Sequence, residues 1–179
     1  MQVRPARPDD AAAIAAIYAP HVTHGVASFE LVAPDTAEMA RRMTASPLHP
    51  WLVACEDGSV LAYAYAAPFA AREAYRWAVE TTIYVADKAR GRGVGRDLYK
   101  MLLATLTAQG FTQALARIAL PNAASIALHE ALGFRAVGVE QAVGWKVGRW
   151  IDVALCQRAL ATPADPPAEP SSLFSSPRP

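Results

Sequence analysis

From residue 88 the chain reads Lys-Ala-Arg-Gly-Arg-Gly-Val-Gly-Arg, and glycines at 91, 93 and 95 leave backbone N–H groups free to converge on an anion. A helix predicted from Val94 would add the positive end of its dipole, so the turn reads as a phosphate nest. It has no Gly-Lys-Ser/Thr ending and is not a P-loop; Arg96 stands where a dinucleotide fingerprint places its last glycine. Lys88, Arg90, Arg92 and Arg96 suit a ligand with several phosphates, such as coenzyme A, the plain alternative being a solvated basic turn.

A second candidate precedes it. Strand alternation over 78–85 puts Ala78, Glu80, Thr82 and Tyr84 on one face and Val79, Thr81, Ile83 and Val85 on the other, which sets the Glu80 carboxylate in an apolar strand. Desolvation raises a carboxyl pKa and makes it a better base near neutrality for an ammonium proton, directly or through water. A structural ion pair with an arginine is the competing role. Further on, Asn122, Ser125 and His129 follow i,i+3 and i,i+4 spacing and line one side of a helix that Asn122 would also cap. His129 is read as a catalytic residue that donates a proton or orients the substrate, the plain alternative being a packed side chain.

The order strand, Arg90-Gly91-Arg92-Gly93-Val94-Gly95, amphipathic helix, strand, Asn122, helix, Gly133-Phe134 resembles the GNAT acetyltransferases. Within them it is similar to the phosphinothricin N-acetyltransferase group, through Tyr75-Arg76-Trp77-Ala78-Val79-Glu80-Thr81-Thr82-Ile83-Tyr84-Val85, Leu120-Pro121-Asn122-Ala123-Ala124-Ser125, His129-Glu130-Ala131-Leu132-Gly133-Phe134 and Lys146-Val147-Gly148-Arg149-Trp150-Ile151-Asp152. The resemblance covers nearly all of residues 1–160. It implies a GNAT fold: a mixed, mostly antiparallel twisted sheet of about seven strands flanked by about four helices. It also implies acetyl-CoA as co-substrate and acetylation of the amino group of a small, glutamate-like antimetabolite.

Residue by residue, the resemblance makes Glu80 the general base and gives the thioester arm to backbone donors of Ile83, Tyr84 and Val85. It places pyrophosphate on Arg90, Gly91, Arg92, Gly93, Val94 and Gly95, and the pantetheine arm beside Asn122 and Ser125. His129 occupies a position where many relatives carry a proton-donating tyrosine. Phe29, Arg72, Tyr75 and Thr82 become substrate contacts, with Arg72 suited to a carboxylate or phosphinate. Ala70 stands where relatives often carry a lysine, which leaves the particular substrate open. The resemblance further implies a homodimer, with the Trp145–Trp150 region bordering the partner's site or packing in the core.

These residues need a mixed α/β scaffold to position them. A strand over 2–6 leads to a helix from Pro8 with Ile14, Ile17, Tyr18 and His21 on one face, then a helix from Asp35 to about Ser46 that stops before Pro47. Trp51–Cys55 and Val60–Ala66 flank Asp57-Gly58, a hairpin signal. A strand over 76–85 is followed by a helix over 94–109 with Val94, Leu98, Met101, Leu102, Thr105 and Leu106 on one face, stopped by Gly110. Strands over 114–120, 134–139 and 150–160 surround the helix over 122–132. The domain is expected to span 1–161. Residues 162–179 hold six of the 14 prolines and read as an extended tail.

Composition narrows the function classes. The 179 residues are 53% hydrophobic and 18% charged, enough to bury the core of one domain. Lys plus Arg is 17 against 16 for Asp plus Glu, so no global field gathers nucleic acid or anionic lipid. Apolar runs fall short of a membrane span and the N-terminus has no signal-peptide core, which points to the cytoplasm. Cys55 and Cys156 sit in strand-like runs as buried thiols. His21 and His24 lack a third ligand, so no metal is expected, and with no nucleophile elbow or reactive cysteine, transfer should be direct in a ternary complex. Three rivals differ in what they need: a protein N-terminal or lysine acetyltransferase needs an open groove, an acyl-CoA sensor has no use for Glu80, and a nucleic-acid module rests only on the arginines of 90–96.

Overall fold

The computed structural model describes residues 1–173. Strands β1 (Gln2–Pro5), β2 (Trp51–Glu56), β3 (Ser59–Pro68), β4 (Ala78–Val85), β5 (Gln113–Ala119), β6 (Arg135–Lys146) and β7 (Arg149–Ala159) form one sheet in the order β1-β2-β3-β4-β5-β7-β6. Helices α1 (Ala11–Thr23), α2 (Thr36–Thr44), α3 (Val94–Ala108) and α4 (Ala123–Ala131) flank it. All neighbouring strands run antiparallel except β4 and β5. This is the mixed, mostly antiparallel sheet with four helices expected from the sequence.

Each face of the sheet is closed by one apolar cluster. Alternate residues of β2 and β3 turn Val53, Cys55 and Tyr63 toward Ile14, Tyr18 and Val22 of α1 and Met39 of α2. The opposite face sets Leu52, Ala54, Leu61 and Ala62 against Leu98, Leu102 and Leu106 of α3. Cys55 and Cys156 are free and buried. Between β2 and β3, Asp57 (φ 48°) and Gly58 (φ 76°) make the tight hairpin turn, a conformation for which Asp-Gly is suited.

Several boundaries differ from the sequence pattern. On α1 the fourth buried position is Val22, and His21 lies beside a cavity instead. On α3, Tyr99 and Leu103 are buried and Met101 is half exposed, because the helix beds on a broader stripe than one ridge. Strand β4 starts at Ala78; Glu73–Tyr75 is a 3₁₀ turn, and Arg76 lies over the Trp77 ring at 3.9 Å. Strand β6 continues to Lys146, past Glu140 and Gln141 that interrupt its apolar pattern, by register shifts at 136/138 and 140/144.

The described part of the proline-rich segment lies along the domain. Arg76 holds the Glu169 carboxylate with two 2.7 Å bonds, Trp77 Nε1 donates to the Ala168 carbonyl at 2.8 Å, and Ser171 N donates to the Gln109 carbonyl at 2.9 Å. The remainder of that segment, 174–179, lies outside the described residues. No helix among the described residues is long and apolar enough to cross a membrane.

Candidate active site

The parallel pair β4–β5 holds register only over Ala78–Gln113, Val79–Ala114 and Glu80–Leu115. Beyond Glu80 the strands part. A cavity of about 540 Å³ fills the gap, lined by Thr82, Ile83, Tyr84 and Val85 of β4, by Arg117 and Ile118 of β5, and by the starts of α3 and α4. Backbone groups of Ile83–Val85 therefore pair with β3 on one side and face the cavity on the other.

At one end lies the glycine turn. Gly91 (φ 74°) and Gly93 (φ 80°) adopt the left-handed conformation that a side chain would strain, and Gly93 is the N-cap of α3. A Cβ added at either meets nothing within 4 Å, so this backbone is open to a ligand. Gly95 serves packing instead: a Cβ there would come within 3.0 Å of Val85, so the glycine lets α3 approach β4. Arg90, Gly91, Gly93, Val94, Gly95 and Arg96 line the cavity. Arg92, expected on the phosphate, instead donates to Glu56 at 2.6 Å, its charge turned toward the end of β2. The open backbone, the helix N-terminus and the cationic rim fit a pyrophosphate.

The opposite wall is α4. Asn122 caps it, its Oδ1 accepting from Ser125 N at 3.1 Å, and Asn122, Ser125 and His129 all face the cavity. His129, read from the sequence as catalytic with packing as the alternative, is packed at 3% exposure. Nδ1 must carry a proton to meet the Ser125 carbonyl at 2.7 Å, and Nε2 lies 3.1 Å from the Tyr99 hydroxyl. Burial pushes the imidazole pKa down against that hydrogen bond, so the neutral ring is favoured. Tyr99 continues inward to Thr81 at 2.7 Å. This chain was missed from sequence because Tyr99 lies outside the expected ridge of α3.

Glu80 is the last residue of β4 paired with β5, lies beside rather than within the cavity lining, and is partly exposed (32% of its side chain). Burial raises its pKa, the Arg117 guanidinium with Nε at 3.5 Å opposes this, and Glu140 adds to it. The arginine ion pair and the basic carboxylate thus coexist. Neither Arg117 nor Glu140 was singled out from sequence, although an arginine inside the apolar run 114–120 was a visible signal.

Phe29, Arg72 and Tyr75 do not line the cavity. Tyr75 stacks edge-on to Phe69 at 5.4 Å in the exposed segment that also carries Arg72. Phe29 leans on the β6 backbone so closely that a Cβ at Gly144 would overlap its ring. Buried Lys146 fixes the same loop, donating to the Ser28 carbonyl at 2.5 Å and the His21 carbonyl at 3.3 Å. Tyr18 ties the loop from below, within 2.6 Å of Ser28 Oγ and donating to Glu30 at 2.8 Å. Among the described residues no group of three or more His, Cys, Asp or Glu side chains could hold a metal ion.

Comparison with known proteins agrees with this geometry. The acetyltransferase (GNAT) domain profile matches residues 3–155. The phosphinothricin N-acetyltransferase of Alcaligenes faecalis is 48% identical over 162 residues, covering 88% of this chain and 82% of that protein. An L-methionine sulfoximine/L-methionine sulfone acetyltransferase of Salmonella typhimurium is 35% identical over 170 residues, covering 94% and 99%. The crystal structure of a GNAT superfamily phosphinothricin acetyltransferase from Sinorhizobium meliloti, in complex with AcCoA, superposes with a TM-score of 0.88 at 40% identity, covering 96% of this chain and 94% of that one. A strand pair that parts around a cavity, a glycine turn at one end and an acidic residue at the fork are thus features of a chain that belongs to the GNAT family of acetyltransferases, in its phosphinothricin acetyltransferase-like group.

Proposed function

We propose that the protein transfers acetyl from acetyl-CoA to the amino group of a small amino-acid-like substrate, by direct attack in a ternary complex. Phosphinothricin, methionine sulfoximine or sulfone, and an arsenic-bearing analogue are the candidate amines, and detoxification of such an antimetabolite in the cytoplasm is the role. The observation that carries this reading is that Glu80 is the last residue of β4 paired with β5, where the cavity between the two strands begins.

In this reading the turn 90–95 takes the pyrophosphate, and Ile83, Tyr84 and Val85 with Asn122 and Ser125 hold the arm that presents the thioester. When bound, acetyl-CoA supplies the acetyl group and leaves as the thiol. Glu80 removes one proton from the substrate ammonium; the freed nitrogen attacks the thioester carbonyl carbon, the C–S bond breaks, and the second nitrogen proton ends on sulfur. His129, held between Ser125 and Tyr99, keeps the first turn of α4 against the arm. Arg72 meets a substrate anion, Tyr75 and Thr82 flank it, and Phe29 forms the apolar wall. Residues 1–161 form the acetyltransferase domain and 162–179 its tail.

A homodimer completes the proposal. Trp145 and Trp150 pair across the β6–β7 turn with ring centroids 5.3 Å apart, and both are about 60% exposed. Val137, Val139 and Val143 are exposed on the edge strand β6 and Val147 in the turn after it, an apolar surface that a second copy would cover. Light scattering should give twice the 19.1 kDa mass. The deciding assay for function is thiol release from acetyl-CoA across these analogues, the common amino acids and peptide amines. Turnover confined to peptides would overturn the small-amine reading, and absence of turnover with every amine would leave only an acyl-CoA-binding role.

A further inference from the structure

Arg117 has no task in the reaction as described. Glu80 pairs in register with Leu115, and Arg117 stands two residues along β5, on the same face of the sheet. Its side chain is 49% exposed and reaches both the cavity and the catalytic carboxylate. Nε lies 3.5 Å from Glu80, and Nη1 donates to the two Glu140 oxygens at 3.3 and 3.4 Å. Charge-assisted bonds to guanidinium are ordinarily about 2.7–2.9 Å. Elsewhere in this chain Arg4 holds Asp10 at 2.7 and 2.8 Å, and Arg76 holds Glu169 with two bonds of 2.7 Å. One guanidinium is therefore shared between two carboxylates, neither of which it grips, at the edge of the site.

We propose that Arg117 binds an anionic group on the substrate side chain and releases Glu80 in doing so, which makes it the residue that selects amino acids carrying a second negative charge. This rests on the reading of the site as an amino-acid N-acetyltransferase with Glu80 as base. The exchange has a chemical consequence. While Arg117 neighbours Glu80 it favours the ionised carboxylate and weakens it as a base. Once the guanidinium turns to the substrate anion, Glu80 regains basicity as the ammonium arrives beside it. Glu140 limits the exchange from the other side, because its carboxylate competes for the guanidinium and repels the incoming anion. Arg72, exposed and without an ion pair among the described residues, remains for the α-carboxylate.

The charged and titratable groups coupled to Glu80 are Arg117 from β5, Glu140 from β6 and two tyrosines whose pKa values burial raises, Tyr65 from β3 and Tyr99 from α3. Removing Arg117 therefore raises the Glu80 pKa.

The test compares phosphinothricin, with an anionic side chain, and methionine sulfone, with a neutral one, on wild type, Arg117→Gln and Arg117→Lys. For Arg117→Gln the ratio of kcat/KM for phosphinothricin over methionine sulfone should fall about tenfold or more, the loss of one charge-assisted contact. The acid limb of the methionine sulfone profile should move to higher pH, and Arg117→Lys should recover part of the ratio. An unchanged ratio, or a limb that stays in place, overturns the proposal. Wild type that acetylates neither amine overturns the underlying reading and this one with it, which separates the two failures. Should Arg117→Gln fail to fold, Glu140→Gln reads the same contact from the other side: KM for phosphinothricin should fall by roughly two- to fivefold, and an unchanged or higher KM overturns the exchange.

Discussion

The two ends of the site are built differently. At the turn 90–95 the cavity-facing groups are backbone amides of one contiguous segment, shaped by glycines and by the start of α3. Around Glu80 the groups are side chains from segments far apart in the sequence, Glu80 on β4, Arg117 on β5 and Glu140 on β6, the last strand also carrying Gly144 and Lys146, which pin the loop of Phe29. The first end needs only local conformation. The second exists only when three strands and a loop have packed, so its contacts are set by tertiary structure and are open to retuning by single residues.

Replacing Glu80 is the severest test of the side-chain end. Glu80→Gln removes the proposed base without changing its size, so kcat should fall by roughly 10²–10⁴-fold while acetyl-CoA affinity stays near wild type. The pH dependence has a definite sign. Burial raises the pKa of Glu80, so wild-type kcat/KM declines as pH falls through a value above the ordinary glutamate range. In Glu80→Gln that limb should disappear, and the deficit should shrink as pH approaches the amine pKa, where more substrate arrives neutral. A variant that melts as wild type does and keeps a near-normal rate at pH 7 refutes the base role.

Legibility in the sequence divides along the same line. The turn, the Asn122 cap and the alternation of β4 were readable because each depends on neighbours one to four positions away. Glu80 was readable as a carboxylate in an apolar strand, but its partner was not, since strand order places Arg117 beside it only after β4 and β5 pair in parallel. Glu140 and Gly144 were missed with the second half of β6, whose shifts in register hide the strand period. Arg92 shows the converse. It stood within a readable motif, yet its side chain pairs with Glu56 of β2, a contact spanning 36 positions.

The backbone end is tested by Gly93→Asp. The left-handed φ of 80° disfavours any side chain, and a carboxylate at this N-cap would repel the phosphates proposed to bind there. KM for acetyl-CoA should rise about 10- to 100-fold, with KM for the amine little changed. Calorimetry showing undiminished acetyl-CoA binding would remove the turn from the site and end the division between backbone-built and side-chain-built halves.

The mildest prediction bears on how far side-chain packing tunes the substrate end. Gly144 carries no Cβ and the Phe29 ring occupies that space, so Gly144→Ala must push the ring or bend β6. Overpacking of this kind costs on the order of 1–3 kcal/mol. Because Phe29 sits in the middle of the α1–α2 loop, beside Ser28 that Lys146 and Tyr18 hold, the ring should move before the strand does. The amine KM should then rise roughly three- to tenfold, while the acetyl-CoA dissociation constant stays the same, since the displaced ring does not line the main cavity. Phe29→Leu offers the control, because a smaller side chain leaves room for the new methyl. If displacement of Phe29 is the cause, the double variant should lose less than the product of the two single losses. Strictly multiplicative losses would instead place the effect of Gly144 in the strand itself, and the α1–α2 loop would have no part in setting the amine pocket.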